Sequence, residues 1–195
     1  PYSAAWWAVD YDRRLYRILE LYGCAKDSGG EYVANTGVRQ TPGEIFSLIA
    51  ETEKTHPFLR GKKIMGVADP SIWDKSRGTS VAEEAEKKGI YFEKGDNTRR
   101  PGWMQVHYRL RFDERGIPMM YIFSNCKGFI KTFPALVYSK TDPEDLDTEG
   151  EDHIADEVRY MCMAHPLAPE KRCEAKAPAF SPLSDEGCNY NYYLI

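Results

Sequence analysis

Between Lys62 and Phe92 the chain leaves little choice of architecture. Lys62-Lys63-Ile64-Met65-Gly66-Val67-Ala68-Asp69-Pro70 has the pattern of a buried strand whose C-terminal end delivers one carboxylate, Asp69, to the surface. Ser80-Val81-Ala82-Glu83 is a capping box, and the helix it opens runs to Lys88 with Gly89 as its stop. Ile90-Tyr91-Phe92 then supplies a second strand. Strand, helix, strand reads as a parallel crossover unit, which makes the class α/β with a mixed sheet flanked by helices.

The flanking segments extend this pattern. Two aromatic and β-branched runs, Ala5–Val9 and Leu15–Tyr22, surround the polar link Asp10–Arg14 and predict a β-hairpin. Thr41-Pro42-Gly43-Glu44 supplies an N-cap, a Pro at the first helical position and a Glu at the third, so a helix is expected from there to just before Pro57. Pro101 opens another helix, with Trp103, Val106 and Leu110 along one side. Met119–Phe123 reads as a strand, and Phe129–Leu136 as a short helix or a second hairpin. A last helix is expected from about Asp152 to Met163. These elements place one domain over residues 1–165, and the Pro/Ala/Ser-containing stretch 166–195 reads as a C-terminal tail.

Composition excludes two classes. With 8 Phe, 13 Tyr and 4 Trp among 195 residues the chain is too aromatic to be disordered. It has no unbroken apolar run of about 18 residues, so no membrane partner is expected. The formal charge of −4 hides an asymmetry, because nine acids lie between Asp142 and Glu157 with no Lys or Arg among them. Setting those nine aside leaves 21 acids against 26 Lys and Arg, a modest bias compatible with a polyanionic partner. Five cysteines without a C-x-x-C pair indicate a reducing compartment rather than a disulfide framework or zinc ribbon.

Three places carry groups suited to chemistry. Asp69 stands where functional groups gather in open α/β sheets, at the C-terminal edge; its ordinary alternative is a turn or cap with Pro70-Ser71. On the last helix, Ile154, Val158, Met161 and Cys162 line one side, and His153, Asp156 and Tyr160 another. His153 and Asp156, one turn apart, could hold a divalent cation with a carboxylate from elsewhere, or could merely complement the helix dipole, with Thr148-x-x-Glu151 as a cap. Two carboxylates from distant elements suit Mg2+, which takes oxygen ligands and keeps several waters. The basic loop Lys94–Arg100 could neutralise phosphates through Lys94, Arg99 and Arg100, or be solvated surface. Neither a phosphate-binding G-x-x-x-x-G-K-[ST] loop nor a G-x-S-x-G or H-E-x-x-H motif is present.

Taken together, these motifs resemble the C-terminal nuclease domain of the tailed-phage large terminase subunit. The resemblance runs from the Trp6-Trp7-Ala8-Val9-Asp10 hairpin with Leu15–Gly23, through Gly66-Val67-Ala68-Asp69-Pro70-Ser71, Lys94-Gly95-Asp96-Asn97 and Tyr121-Ile122-Phe123, to Glu151–Tyr160. It covers most of residues 4–163. The H-x-x-D-x-x-R-Y ending and an upstream strand ending in Ala-Asp-Pro carry it in combination; either alone is weak.

That family implies an RNase H-like fold and two-metal hydrolysis of concatemeric double-stranded DNA with Mg2+ or Mn2+. By resemblance Asp69 matches the second acid of the metal cluster and Asp156 the third, with His153 beside it to orient the water or contact the scissile phosphate. The family's first acid lies on a central strand just before the segment matching Pro1-Tyr2-Ser3. The expected domain is therefore truncated, lacks that strand, and should be a poor nuclease as given. The implied partners are double-stranded DNA, the terminase ATPase domain, the portal and the small terminase subunit, in the cytoplasm of a bacterial host. A non-catalytic remnant acting as a binding or assembly module is the alternative, and a junction resolvase-like RNase H nuclease a third reading.

Overall fold

The structure is a computed structural model, and it describes residues 1–167 except Arg77, Thr148 and Glu149. Of the tail expected at 166–195, residues 168–195 lie outside the described part. The described chain is mixed α/β, with five α-helices and small mixed sheets.

The predicted hairpin forms: β1 (Ser3–Val9) pairs antiparallel with β2 (Leu15–Tyr22), with an irregularity between Trp6 and Trp7. Side chains alternate across a strand, so these two tryptophans serve opposite layers. Trp6 packs with Phe46, Ile49, Leu59, Ala85 and Ile90, and its indole N–H donates to Glu53 Oε1 at 3.0 Å. Trp7 packs toward the other core and donates to Glu157 Oε1 at 2.8 Å.

A small hairpin, β3 (Cys24–Lys26) and β4 (Tyr32–Gly37), leads to α1 (Pro42–Thr55). The capping box at Thr41 and Glu44 is formed, and α1 ends before Pro57 as its sequence predicts. The crossover is also present. Strand β5 (Gly66–Ala68), α2 (Val81–Glu86) behind its Ser80–Glu83 box, and β6 (Phe92–Lys94) form a parallel pair in which Ala68 faces Lys94.

The expected β5 is corrected in extent. Only Gly66–Ala68 is strand, and Lys62–Met65 is exposed, with Met65 at 72%. Likewise α2 stops at Glu86 rather than Lys88, although Gly89 takes the positive φ of 76° expected of a stop.

Downstream come α3 (Arg99–Leu110), β7 (Met120–Ile122), α4 (Lys127–Thr132) continued by a 3-10 turn at Phe133–Ala135, and α5 (His153–Ala164). Strand β7 pairs parallel with β2, completing a β1-β2-β7 sheet. Behind Ser124-Asn125 stands the short helix α4, not a second hairpin. Pro101 is the third residue of α3, so Arg99 and Arg100 belong to a helix rather than a loop, and Leu110 is half exposed.

Two cores sandwich the sheet. One joins Leu15, Trp103, Val106, Cys126, Phe129, Ile154, Val158 and Cys162, and the other is the Trp6 layer under α1 and α2. Ile154 and Val158 are almost wholly buried, which contributes roughly 1.5–3 kcal/mol each. That burial fixes the rotation of α5 and hence where its polar residues point. Helix α5 packs on both β1 and β5.

Candidate acidic site at the β5–α5 junction

Asp69 directly succeeds β5 in the chain. It caps the 3-10 turn Pro70–Trp73, accepting the Ser71 N–H at 2.7 Å through Oδ1. Its other oxygen accepts a hydrogen bond from the Tyr160 hydroxyl of α5. Burial would push the Asp69 carboxyl up, but the bonds from Ser71 and Tyr160, with the Arg159 charge, outweigh it and hold the group below the usual carboxylate range. The reciprocal effect falls on Tyr160, whose hydroxyl is pushed up to about 12 by burial and by the Asp69 carboxylate.

Asp156 stands one helical turn before Tyr160. Its Oδ1 accepts from Arg159 Nε at 3.1 Å and Nη2 at 3.0 Å, and from Arg99 Nη1 at 3.5 Å. Consecutive residues of α5 therefore hold the two candidate acids, Arg159 on Asp156 and Tyr160 on Asp69. Asp69, just past the C-terminal end of β5, thus meets α5 one helical turn from Asp156, at the kind of strand end where open α/β sheets collect ligand groups.

Two glycines make this possible by close approach. A Cβ on Gly95 would lie 2.6 Å from the Tyr160 ring and 3.2 Å from the Ala68 carbonyl oxygen. A Cβ on Gly102 would lie 2.6 Å from the Arg159 stem. The stem passes through that space and its guanidinium reaches the Thr98 carbonyl at 3.3 Å, over the rings of Trp103 and Tyr160.

His153, at the start of α5, has Nδ1 3.9 Å from Asp152 Oδ1, and its Nε2 is buried without a hydrogen-bond partner. Asp152 itself is raised above the usual carboxylate range by burial and by repulsion from Asp156. Asp152 is the N-cap of α5 but makes no side-chain capping bond, and Thr148, the cap expected from sequence, lies outside the described residues. Among the described residues no group of three or more His, Cys, Asp or Glu is arranged to hold a metal ion.

The cationic residues divide. Lys94 is exposed at the end of β6, paired with Ala68, the residue before Asp69, with its ammonium 5.5 Å over the Trp73 ring. Arg99 instead donates its Nε–H to both Asp145 oxygens at 2.9 and 2.7 Å, and Arg100 meets Asp142 at 3.0 Å and Glu144 at 3.4 Å. The acidic stretch thus folds back on the two arginines.

The Arg99 hydrogen bond, with the Trp103 indole N–H at 2.7 Å, holds Asp145 down to about 2. A carboxyl depressed in the folded state stabilises above its unfolded pKa and ceases to as pH falls through its folded value. Asp145, Asp69 and Asp142 are all lowered, so the three together are expected to bring the melting temperature down as pH falls from about 4 to about 2. That fall follows a smaller loss from His165, whose imidazole burial holds below its ordinary value, and a partial gain as the raised Asp152 protonates. Asp145→Asn should remove about 1–2 kcal/mol of that acid sensitivity once solvent screening is allowed for. Thermal melts across pH check both.

Sequence reasoning named Asp69, Asp156 and His153 and put Tyr160 on the same helix face, but did not anticipate Arg159, Gly95, Gly102 and Asp152 in this neighbourhood. The Arg159-Tyr160 pair was written in the H-x-x-D-x-x-R-Y ending, and the glycines stood at a strand end and in a first helical turn. No family model, curated protein or solved structure matches this chain.

Proposed function

We propose that the chain is a metal-dependent DNA endonuclease domain of the phage terminase large-subunit kind, with Asp69 and Asp156 as ligands for Mg2+ or Mn2+ and His153 beside them. The observation that carries this reading is that Asp69, from the end of β5, meets α5 through Tyr160, one helical turn from Asp156. In that chemistry carboxylates fix metal ions that activate a water and stabilise the leaving 3′ oxygen. In this reading Lys94, at the same sheet end, would meet a phosphate, and Arg99 and Arg100 would do so once their acids give way.

An RNase H-like arrangement is part of the proposal. Helix α5 packs across both β1 and β5, and among the described residues these two strands are not hydrogen-bonded to one another. The terminase ATPase domain, portal, small subunit and a bacterial cytoplasm belong to the same reading. No helix among the described residues is long and apolar enough to cross a membrane.

One observation favours the second reading, a binding or assembly module without catalysis. Both acids are already engaged by the chain's own donors, Asp69 by Ser71 and Tyr160 and Asp156 by two arginines. Mn2+ titration followed by electron paramagnetic resonance separates the two. Metal ligation requires bound Mn2+ whose affinity falls at least about tenfold in both Asp69→Asn and Asp156→Asn, and any nicking of supercoiled plasmid should vanish with it. Mn2+ binding indifferent to both substitutions would leave the module reading standing.

A further inference from the structure

Asp142, Glu144 and Asp145 lie against the neighbouring arginines Arg99 and Arg100. Residues 137–147 form a hairpin-like strap closed by the Tyr138–Leu146 bridge, by Ser139 N–H to Asp145 O at 2.9 Å and by Asp147 N–H to Val137 O at 3.0 Å. Its tip carries Asp142, Glu144 and Asp145 against the first turn of α3. Asp145 takes the Arg99 Nε–H on both of its oxygens, while Arg100 is gripped by Asp142 and Glu144. Carboxylates and phosphates both accept charge-assisted hydrogen bonds from a guanidinium, and Arg99 Nη2 is buried without a hydrogen-bond partner beside this contact.

The strap's two halves differ in strength. Asp145 is anchored inward by the Trp103 indole N–H and the Leu146 N–H, at 2.7 and 2.8 Å. Asp142 and Glu144 hold Arg100 at the rim, where the Arg100 side chain is 65% exposed and the pairing is screened. Beneath the strap lies a cavity of about 180 Å3, lined by Trp103, Val106, Leu110, Phe133, Val137 and Leu146. The strap is therefore clipped to α3 at its acidic tip over an incompletely filled apolar seam.

We propose that the 137–147 strap is an autoinhibitory contact, in which Asp142 and Glu144 occupy Arg100, and Asp145 occupies Arg99, in competition with the phosphate backbone of DNA. The inference rests on the DNA-binding part of the proposed function. It makes the strap a gate: duplex DNA gains access to the arginines by displacing the rim carboxylates.

The test is binding of a 20-base-pair duplex to the full chain carrying Asp142→Asn and Glu144→Gln, which leaves the Asp145 anchor intact. A control, Glu51→Gln with Glu86→Gln, removes the same charge from exposed positions on α1 and α2. The strap variant should bind about 3–10-fold tighter than wild type at low salt, with a salt dependence steeper by about one phosphate contact. Adding Arg100→Ala should cancel both gains. Equal gains from the control pair, or none from the strap pair while wild type binds DNA, overturn the strap proposal alone. Absence of duplex binding by wild type, strap variant and control overturns the DNA-binding reading and the strap with it.

Discussion

Arg17→Met is expected to lower the melting temperature by roughly 10 °C or more, corresponding to about 3–5 kcal/mol. Arg17 points from β2 into the layer under α5 and is fully buried. Its Nη1 donates to Glu157 Oε2 at 2.5 Å, and its Nε and Nη2 donate to Glu20 Oε2 at 3.2 and 3.1 Å. Each carboxylate has a second duty. Glu157 also accepts from Ser3 and Trp7 of β1, and Glu20 accepts the Gly128 and Phe129 N–H groups at the start of α4. One guanidinium thus ties β1, β2, α4 and α5 together, and its removal strands two carboxylates in a low-dielectric layer. Methionine keeps the apolar stem, so the loss reports the guanidinium, which also stands over the Trp7 and Phe129 rings. Adding Glu157→Gln to Arg17→Met should recover part of the stability, because the remaining buried charge is what costs most. Circular dichroism melts measure both; a single variant within about 2 °C of wild type would refute the network's role.

What could be read from the sequence was what local chemistry decides. The capping boxes at Thr41 and Ser80, the Gly89 stop and the crossover between them were legible because each is settled within four residues of chain. The apolar face of α5 was legible by its period, and Ile154, Val158 and Cys162 are buried accordingly. Partners far away in sequence were not legible. The helical wheel put Tyr160 on the polar side with His153 and Asp156, yet it is only 7% exposed, because Asp69 and Gly95 arrive from the β5–β6 sheet to cover it. Nor did the run Lys62–Met65 announce its exposure, since an apolar residue pattern does not say whether anything packs on it. The strap carried a signal of another kind. Nine acids without a base must find cations elsewhere, and Arg99-Arg100 is a conspicuous pair, but pairing the two needed a fold that brings residue 142 onto residue 100.

Arg159→Met should cost about 2–4 kcal/mol and, unlike the loss at Arg17, should reach the candidate site directly. Arg159 is 2% exposed and its three donor nitrogens are all used, two on Asp156 and one on the Thr98 carbonyl. Thr98 is the N-cap of α3, so this one side chain fastens the start of α3 to the middle of α5 through the gap that Gly102 leaves. Methionine fits the same gap but leaves the Thr98 oxygen without its charged donor. The stranded Asp156 is less costly than Glu157, because its side chain is 31% exposed and Arg99 still faces it. Hence the smaller expected loss. Arg159→Lys should recover only part of it, since an ammonium cannot bridge Asp156 and Thr98 with a planar fork. Asp156→Asn added to Arg159→Met should cost little further, because the two substitutions remove the same interaction. If the two effects instead add in full by thermal melts, Arg159 and Asp156 do not act as a unit, and the acidic site is not tied to α3 through this guanidinium.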